Sequence, residues 1–276
     1  MISVNTNRGA MVALQSLAAT QKDLDVTQNR VSTGKKVSSA KDNGAVWAVA
    51  NKMGSDVSAY DAVVSSNERA QALLDTGISA GESINDLLVK MKEVALAASQ
   101  TGLSASAQSS YAASFAEYRD QITSIIGNAN FDGQNMVGGT PDDAVSIGDA
   151  TGTPANNITV AGADLSLGGS IVTVAATTTL STAANAATAL GLVNASIDNL
   201  STQLATWGAG SERLQSHAAF VGKLQDALNS GIGAMVDADL AKESAKLTAL
   251  QTKQQLGTQA LSIANSSSQI ALKLFQ

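Results

Sequence analysis

The chain has 276 residues, 44% of them hydrophobic but only 3% aromatic, with no cysteine and a formal net charge of −6. That length can bury a sizeable core, yet an apolar content made mostly of alanine, leucine and valine suits close helix-to-helix packing more than a ligand pocket. The charge and the absence of any lysine- or arginine-rich window argue against a nucleic-acid partner, and the lack of cysteine excludes disulfides, thiolate chemistry and cysteine-ligated metals.

The first residues, MISVNTNRGAMVALQ, lack the apolar stretch of a cleaved signal peptide. No run approaches the ~18 apolar residues of a membrane span, so no membrane association is expected. From Ser3 to about Val31, Ala10, Leu14, Leu17, Leu24 and Val31 follow a seven-residue step along one helical face. The segment TGKKVSSAKDNG (33–44) breaks that helix, and within it Ser39, Asp42 and Asn43 read as helix caps. Helical character resumes at Ala45 and runs to about Gln100, a segment roughly 85 Å long at ~1.5 Å per residue, which must pack lengthwise. A shorter helix follows from about Ser104 to Ile126.

Composition changes at GNANFDGQNMVGGTPDD, and short alternating runs follow at 144–147, 158–160, 164–167 and 171–174, separated by glycine, asparagine and aspartate, as in small hairpins. Both prolines, Pro141 and Pro154, lie in this middle region, which leaves the two arms free to be helical. Helix returns near Ala183 and continues to about Asn229. The GIG at 231–233 is expected to interrupt it, and Asp237 and Asp239 to cap the last helix. That helix carries Leu247, Leu250, Leu256, Leu261, Ile263, Ile270, Leu274 and Phe275, and the spacing Leu256, Ala260, Ile263, Ile270, Leu274 marks a stripe. The expected fold is mainly α, a folded-back rod of long antiparallel helices, coiled-coil-like, with small β-hairpins at about 140–176.

Little in the chain carries chemistry. The single histidine, His217, cannot alone form a metal site or a catalytic triad, and DAD at 237–239 reads as capping acids rather than a carboxylate pair. No phosphate loop occurs. The expectation is a non-enzyme without metal or cofactor. An isolated amphipathic helix is marginal in water, so the terminal stripes read as an assembly surface.

Against that background, VSTGKKVSSAKDNGAVWAVANKM (31–53), FDG (131–133) and the run from Val236 to Phe275 resemble the two end signatures of the bacterial flagellins. The sequence departs from the family at Lys36, where an arginine is usual, at Val46 and Trp47, and at Met235 and Val236. The short middle is similar to that of minimal members without large outer domains. The resemblance implies an inner-core helix at 1–43, a helical rod domain at 44–232 and a second inner-core helix at 233–276. It also implies a filament subunit giving swimming motility, or alternatively a hook-filament junction protein. Implied partners are copies of itself, an export chaperone, and cap and hook-junction proteins; the implied location is extracellular, reached by flagellar type III export without a cleaved signal. The stretch 87–99 is similar to the helix that faces an innate immune receptor, which points to Lys90, Lys92, Glu93 and Ser114. Lys90 and Ser114 stand where the family has arginine and glutamate, implying a poor receptor ligand.

Overall fold

The computed structural model describes residues 7–273, with side-chain surroundings through Ser266. Leu274 and Phe275 lie outside the described residues, and the Ile270 side chain does too. Five helices dominate: α1 (Arg8–Thr33), α2 (Gly44–Ala98), α3 (Ala105–Asn128), α4 (Ala183–Val236) and α5 (Leu240–Lys273). The strands β1 (Ala144–Ser146) and β2 (Ile158–Val160) form one antiparallel pair in which Val145 faces Thr159.

The chain divides into two compact units, Met1–Ser55 with Asp226–Gln276, and Asp56–Gln225. These divisions fall inside α2 and α4, whereas the sequence reading places domain boundaries after residues 43 and 232.

In the unit Asp56–Gln225, α2 and α4 run antiparallel. Asn67 Nδ2 donates to Leu214 O at 3.1 Å, and Gln71 Nε2 to Ser211 Oγ at 2.6 Å, so numbers rise along one helix as they fall along the other. Leu74, Ile84, Leu88 and Met91 of α2 meet Leu200, Trp207 and Leu214 of α4 in a single core, which Phe115 and Ile122 of α3 join. Trp207 is fully buried, and its indole N–H donates to Ala161 O at 2.9 Å, so the one polar atom of the largest core side chain is satisfied. Two glycines allow close approach. A Cβ built on Gly81 would lie 2.8 Å from Leu204 Cδ2, and one on Gly210 would lie 2.8 Å from both methyls of Val160.

Two expectations need correction. The GIG at 231–233 does not stop α4, which continues to Val236. Glycine in a helix costs up to ~1 kcal/mol, but Gly231 sits against Met53, where a Cβ would come within 3.0 Å of Cε, and packing there outweighs propensity. Nor do 164–167 and 171–174 form a second hairpin. Their backbone groups bond elsewhere: Thr173 N donates to Ser196 Oγ of α4 at 2.9 Å, and Gly168 N donates to Val172 O at 2.9 Å within a tight turn. The apolar residues that looked like strand faces, Leu165, Val172 and Val174, are buried as loop contributions to the core.

The contact between α4 and β2 is open to test. Gly210→Ala forces a methyl onto Val160, and overpacking of this kind typically costs about 1–3 kcal/mol. A lowered Tm in circular-dichroism melting is expected for the full chain, partly recovered when Val160→Ala is added; an unchanged Tm would show that β2 is free to move away.

Candidate assembly interface

In the terminal unit, α1 packs antiparallel on α5. Gln254 Nε2 donates to Gln21 Oε1 at 2.6 Å, Arg30 Nη1 pairs with Glu243 Oε1 at 3.1 Å, and Asn7 Nδ2 donates to Ala264 O at 2.8 Å. The side of α1 that recedes from solvent runs Ala10, Ala13, Leu17, Thr20, Leu24, Thr27, Val31, and the corresponding side of α5 runs Leu247, Leu250, Gln254, Gly257, Leu261, Ala264. Both alternate steps of three and four, the pattern of a coiled-coil seam. Many of these residues are small. A Cβ on Gly257 would lie 3.3 Å from Leu17 Cδ1, so the leucine sits over the bare backbone of the opposite helix.

The expected packing residues therefore separate into two sets. Leu24 and Leu250 are buried, and Leu17, Val31, Leu247 and Leu261 are half-buried in the seam. Leu14, Leu256 and Ile263 are 58%, 60% and 70% exposed, and they turn outward from it. Leu256 and Ile263 do not pack on α1, because they stand one position before the seam residues Gly257 and Ala264 and so lie about 100° round the helix. The sequence reading missed Thr20, Thr27, Gln254 and Gly257, which are polar or bare. Their seven-residue spacing was the signal that could have found them. Beside the seam, Met11, Leu14, Ala18, Leu261 and Asn265 line an open groove of about 920 Å³.

The open end of this hairpin is closed by backbone bonds. Gly34 terminates α1 with φ 70°, a left-handed conformation that glycine adopts without strain. Ala238 N then donates to Gly34 O at 2.8 Å, and Lys36 N to Val236 O at 2.7 Å. Val37, Ala50 and Val236 form a small buried cluster next to it. Of the expected caps, Asn43 and Asp239 hold helix N-termini and Asp42 and Asp237 do not. Asn43, not Asp42, caps α2, its Oδ1 accepting from Val46 N at 3.2 Å. Asp42 lies one residue too early and instead closes the preceding turn, accepting from the backbone N–H and hydroxyl of both Ser38 and Ser39. Asp239 accepts from Lys242 N at 3.1 Å at the start of α5, whereas Asp237 precedes the helix and its N–H bonds Gly233 O at the end of α4.

Lys90, Lys92 and Glu93 are exposed on α2, and Ser114 is exposed on α3, its hydroxyl donating to Ser110 O at 3.2 Å. His217 donates through Nε2 to Gly148 O at 3.0 Å and so pins a loop to α4. Among the described residues no cluster of histidine, aspartate and glutamate could hold a metal ion, and no helix is long and apolar enough to cross a membrane.

A closely packed helical hairpin with an apolar outer face is the build of a self-assembling structural subunit. Residues 4–142 match the bacterial flagellin N-terminal helical region, and residues 190–275 match the bacterial flagellin C-terminal helical region. Flagellin FljO of Caulobacter vibrioides is 46% identical over 274 residues, covering 99% of this chain and 98% of the relative. A flagellin of Brucella melitensis is 37% identical over the whole of both chains. The crystal structure of Bacillus cereus flagellin aligns with 55% of this chain and 86% of its own at a TM-score of 0.49 and 26% identity. The chain belongs to the bacterial flagellin family, short form, and is a structural subunit that polymerises into the flagellar filament.

The turn at 38–42 responds to pH in a definite direction. Hydrogen bonds from the Ser38 hydroxyl first, then from the Ser38 and Ser39 backbone, hold the Asp42 carboxyl below the usual aspartate range. The stability this adds is present above the unfolded aspartate pKa and is lost as pH falls through the lowered folded value. In an NMR titration the Ser38 and Ser39 amide resonances should hold their positions through the ordinary aspartate range and move only below it. Asp42→Asn should displace both at neutral pH.

Proposed function

We propose that the outer face of the terminal hairpin is where each subunit meets its copies in the filament. The observation that carries this reading is the contrast along one helix: Leu250 is 8% exposed, while Leu256 and Ile263, which a lone hairpin leaves in water, are 60% and 70% exposed. Met11 and Val12, both 67% exposed, extend the apolar surface on α1. A contact between unlike faces that does not close on itself propagates an open helix. On this reading residues 1–43 and 233–276 are the inner-core segments and 44–232 the rod domain. Nothing in the comparisons favours the hook-filament junction alternative.

The finer points follow from the family. The chain leaves the cell through the flagellar type III channel without a cleaved signal, escorted by an export chaperone, and adds beneath a cap on a filament begun at hook-junction proteins. It needs no cofactor, catalyses no reaction, and contacts neither nucleic acid nor membrane.

Electron microscopy of purified chain mixed with sheared filament seeds tests the assembly face. Ile263→Asp and Leu256→Asp should each abolish elongation, because burying an unpaired carboxylate costs about 3–5 kcal/mol and every subunit repeats it. Leu250→Asp should also abolish it, but by unfolding the α1–α5 hairpin, seen as lost helicity by circular dichroism. Normal filaments from Ile263→Asp and Leu256→Asp would overturn the outer-face reading.

The exposed positions Lys90 and Ser114 also bear on immune recognition. Lysine is a point charge where arginine offers a planar fork, and Ser114 carries no charge, so the chain is a poor ligand for the innate receptor that detects many flagellins. A titration against the receptor ectodomain should give affinity roughly 30-fold or more below that of Lys90→Arg with Ser114→Glu. Nanomolar binding by the unaltered chain would contradict this.

A further inference from the structure

The α1 side of the seam nearly repeats itself after seven residues, Leu17, Thr20 and Leu24 being followed by Leu24, Thr27 and Val31. Gly257 faces Leu17, and one heptad further along α1 stands Leu24; Gln254 bonds Gln21, and one heptad further stands Gln28. Sliding α5 by seven residues, about 10 Å at ~1.5 Å per residue, would put a leucine back over the glycine and a glutamine back against Gln254. Seam packing alone therefore discriminates poorly between the two registers.

The slide does not reproduce the ion pair near the open end. Arg30 and Glu243 meet at 3.1 Å with side chains 33% and 13% exposed, and the second carboxylate oxygen of Glu243 is buried without a hydrogen-bond partner. After a one-heptad slide Arg30 would face Leu250, buried and apolar in the native register, and Glu243 would lie past Thr33, the last residue of α1. The slide breaks the ion pair and sets the Arg30 guanidinium against an apolar seam position, a cost that seam packing does not offset. The backbone bonds at Gly34–Ala238 and Lys36–Val236 close the hairpin in the same register, but almost any side chain permits them. The ion pair is the part that residue identity selects.

We infer that the Arg30–Glu243 pair is the register lock of the terminal hairpin, the contact that excludes a one-heptad slide of α5 along α1. This goes beyond the filament reading, because it concerns pairing within one chain. It bears on assembly because the groove beside the seam is built from both helices, Met11 and Leu14 from one and Leu261 and Asn265 from the other, and exists in one register alone.

The absence of native cysteine makes register directly readable. A Cβ on Gly9 lies 3.8 Å from Ala264 Cβ, the mean separation in a disulfide, so Gly9→Cys with Ala264→Cys reports the native register. Ser16→Cys with Ala264→Cys, one heptad along, reports the slipped one. Full-length chains are seeded, separated into sedimented and soluble fractions and oxidised, and intrachain disulfide is quantified in the monomer band. With the ion pair intact, the native reporter should cross-link at least about tenfold more than the slipped reporter. Adding Glu243→Gln or Arg30→Gln should reduce that ratio about tenfold, and the exchanged pair Arg30→Glu with Glu243→Arg should restore it. An unchanged ratio in Glu243→Gln, or equal cross-linking by both reporters with the pair intact, would overturn the lock. Sedimentation reports polymerisation separately, so a failure to assemble is distinguishable from a failure of register.

Discussion

The terminal unit depends on how closely α1 and α5 approach. Leu17 rests over Gly257, and alanines and threonines occupy most of the remaining seam positions of α1, so dispersion between two near backbones takes the place of large side chains. Close approach has a corollary. With several seam positions given to alanine, threonine, glutamine and glycine, part of the larger apolar set, Met11, Val12, Leu14, Leu256 and Ile263, points outward. The same composition that thins the inner seam therefore supplies the outer surface.

The middle of the chain solves a different problem. Its core draws on large residues, Trp207, Phe115, Met91 and Leu88 among them, and is sealed by a loop region that contributes Leu165, Val172 and Leu180. Gln108 of α3 donates to Leu180 O at 2.5 Å and to Ala98 O at 3.2 Å, so one side chain ties the helix to the loop on one side and to the end of α2 on the other. Specific side-chain-to-backbone bonds of this kind do the work of a β-ladder, so that one short strand pair suffices in this region.

Much of this was legible in the amino-acid order, and the parts that were not share a cause. Five helices, their approximate ends and the strands at 144–146 and 158–160 followed from period, proline placement and turn residues. The helical period also showed that the ends are amphipathic. It did not show which of two adjacent apolar stripes faces inward, because a leucine looks the same in either, and the seam is completed by Thr20, Thr27, Gln254 and Gly257, which a hydrophobic pattern passes over. GIG misled for a related reason: whether glycine breaks a helix depends on what presses against it, and Met53 is 178 positions away in sequence from Gly231. The loop runs at 164–167 and 171–174 have strand-like alternation, but the partner that takes the Thr173 amide is a serine on a helix.

The two tryptophans fall one in each unit, Trp207 fully buried in the unit Asp56–Gln225 and Trp47 39% exposed at the start of α2 in the terminal unit. Their emission is consequently a pair of built-in optical reporters. A dry indole fluoresces to the blue and a wet one to the red, so quenching by a soluble agent reaches Trp47 first, and each unit's folding can be followed without a label.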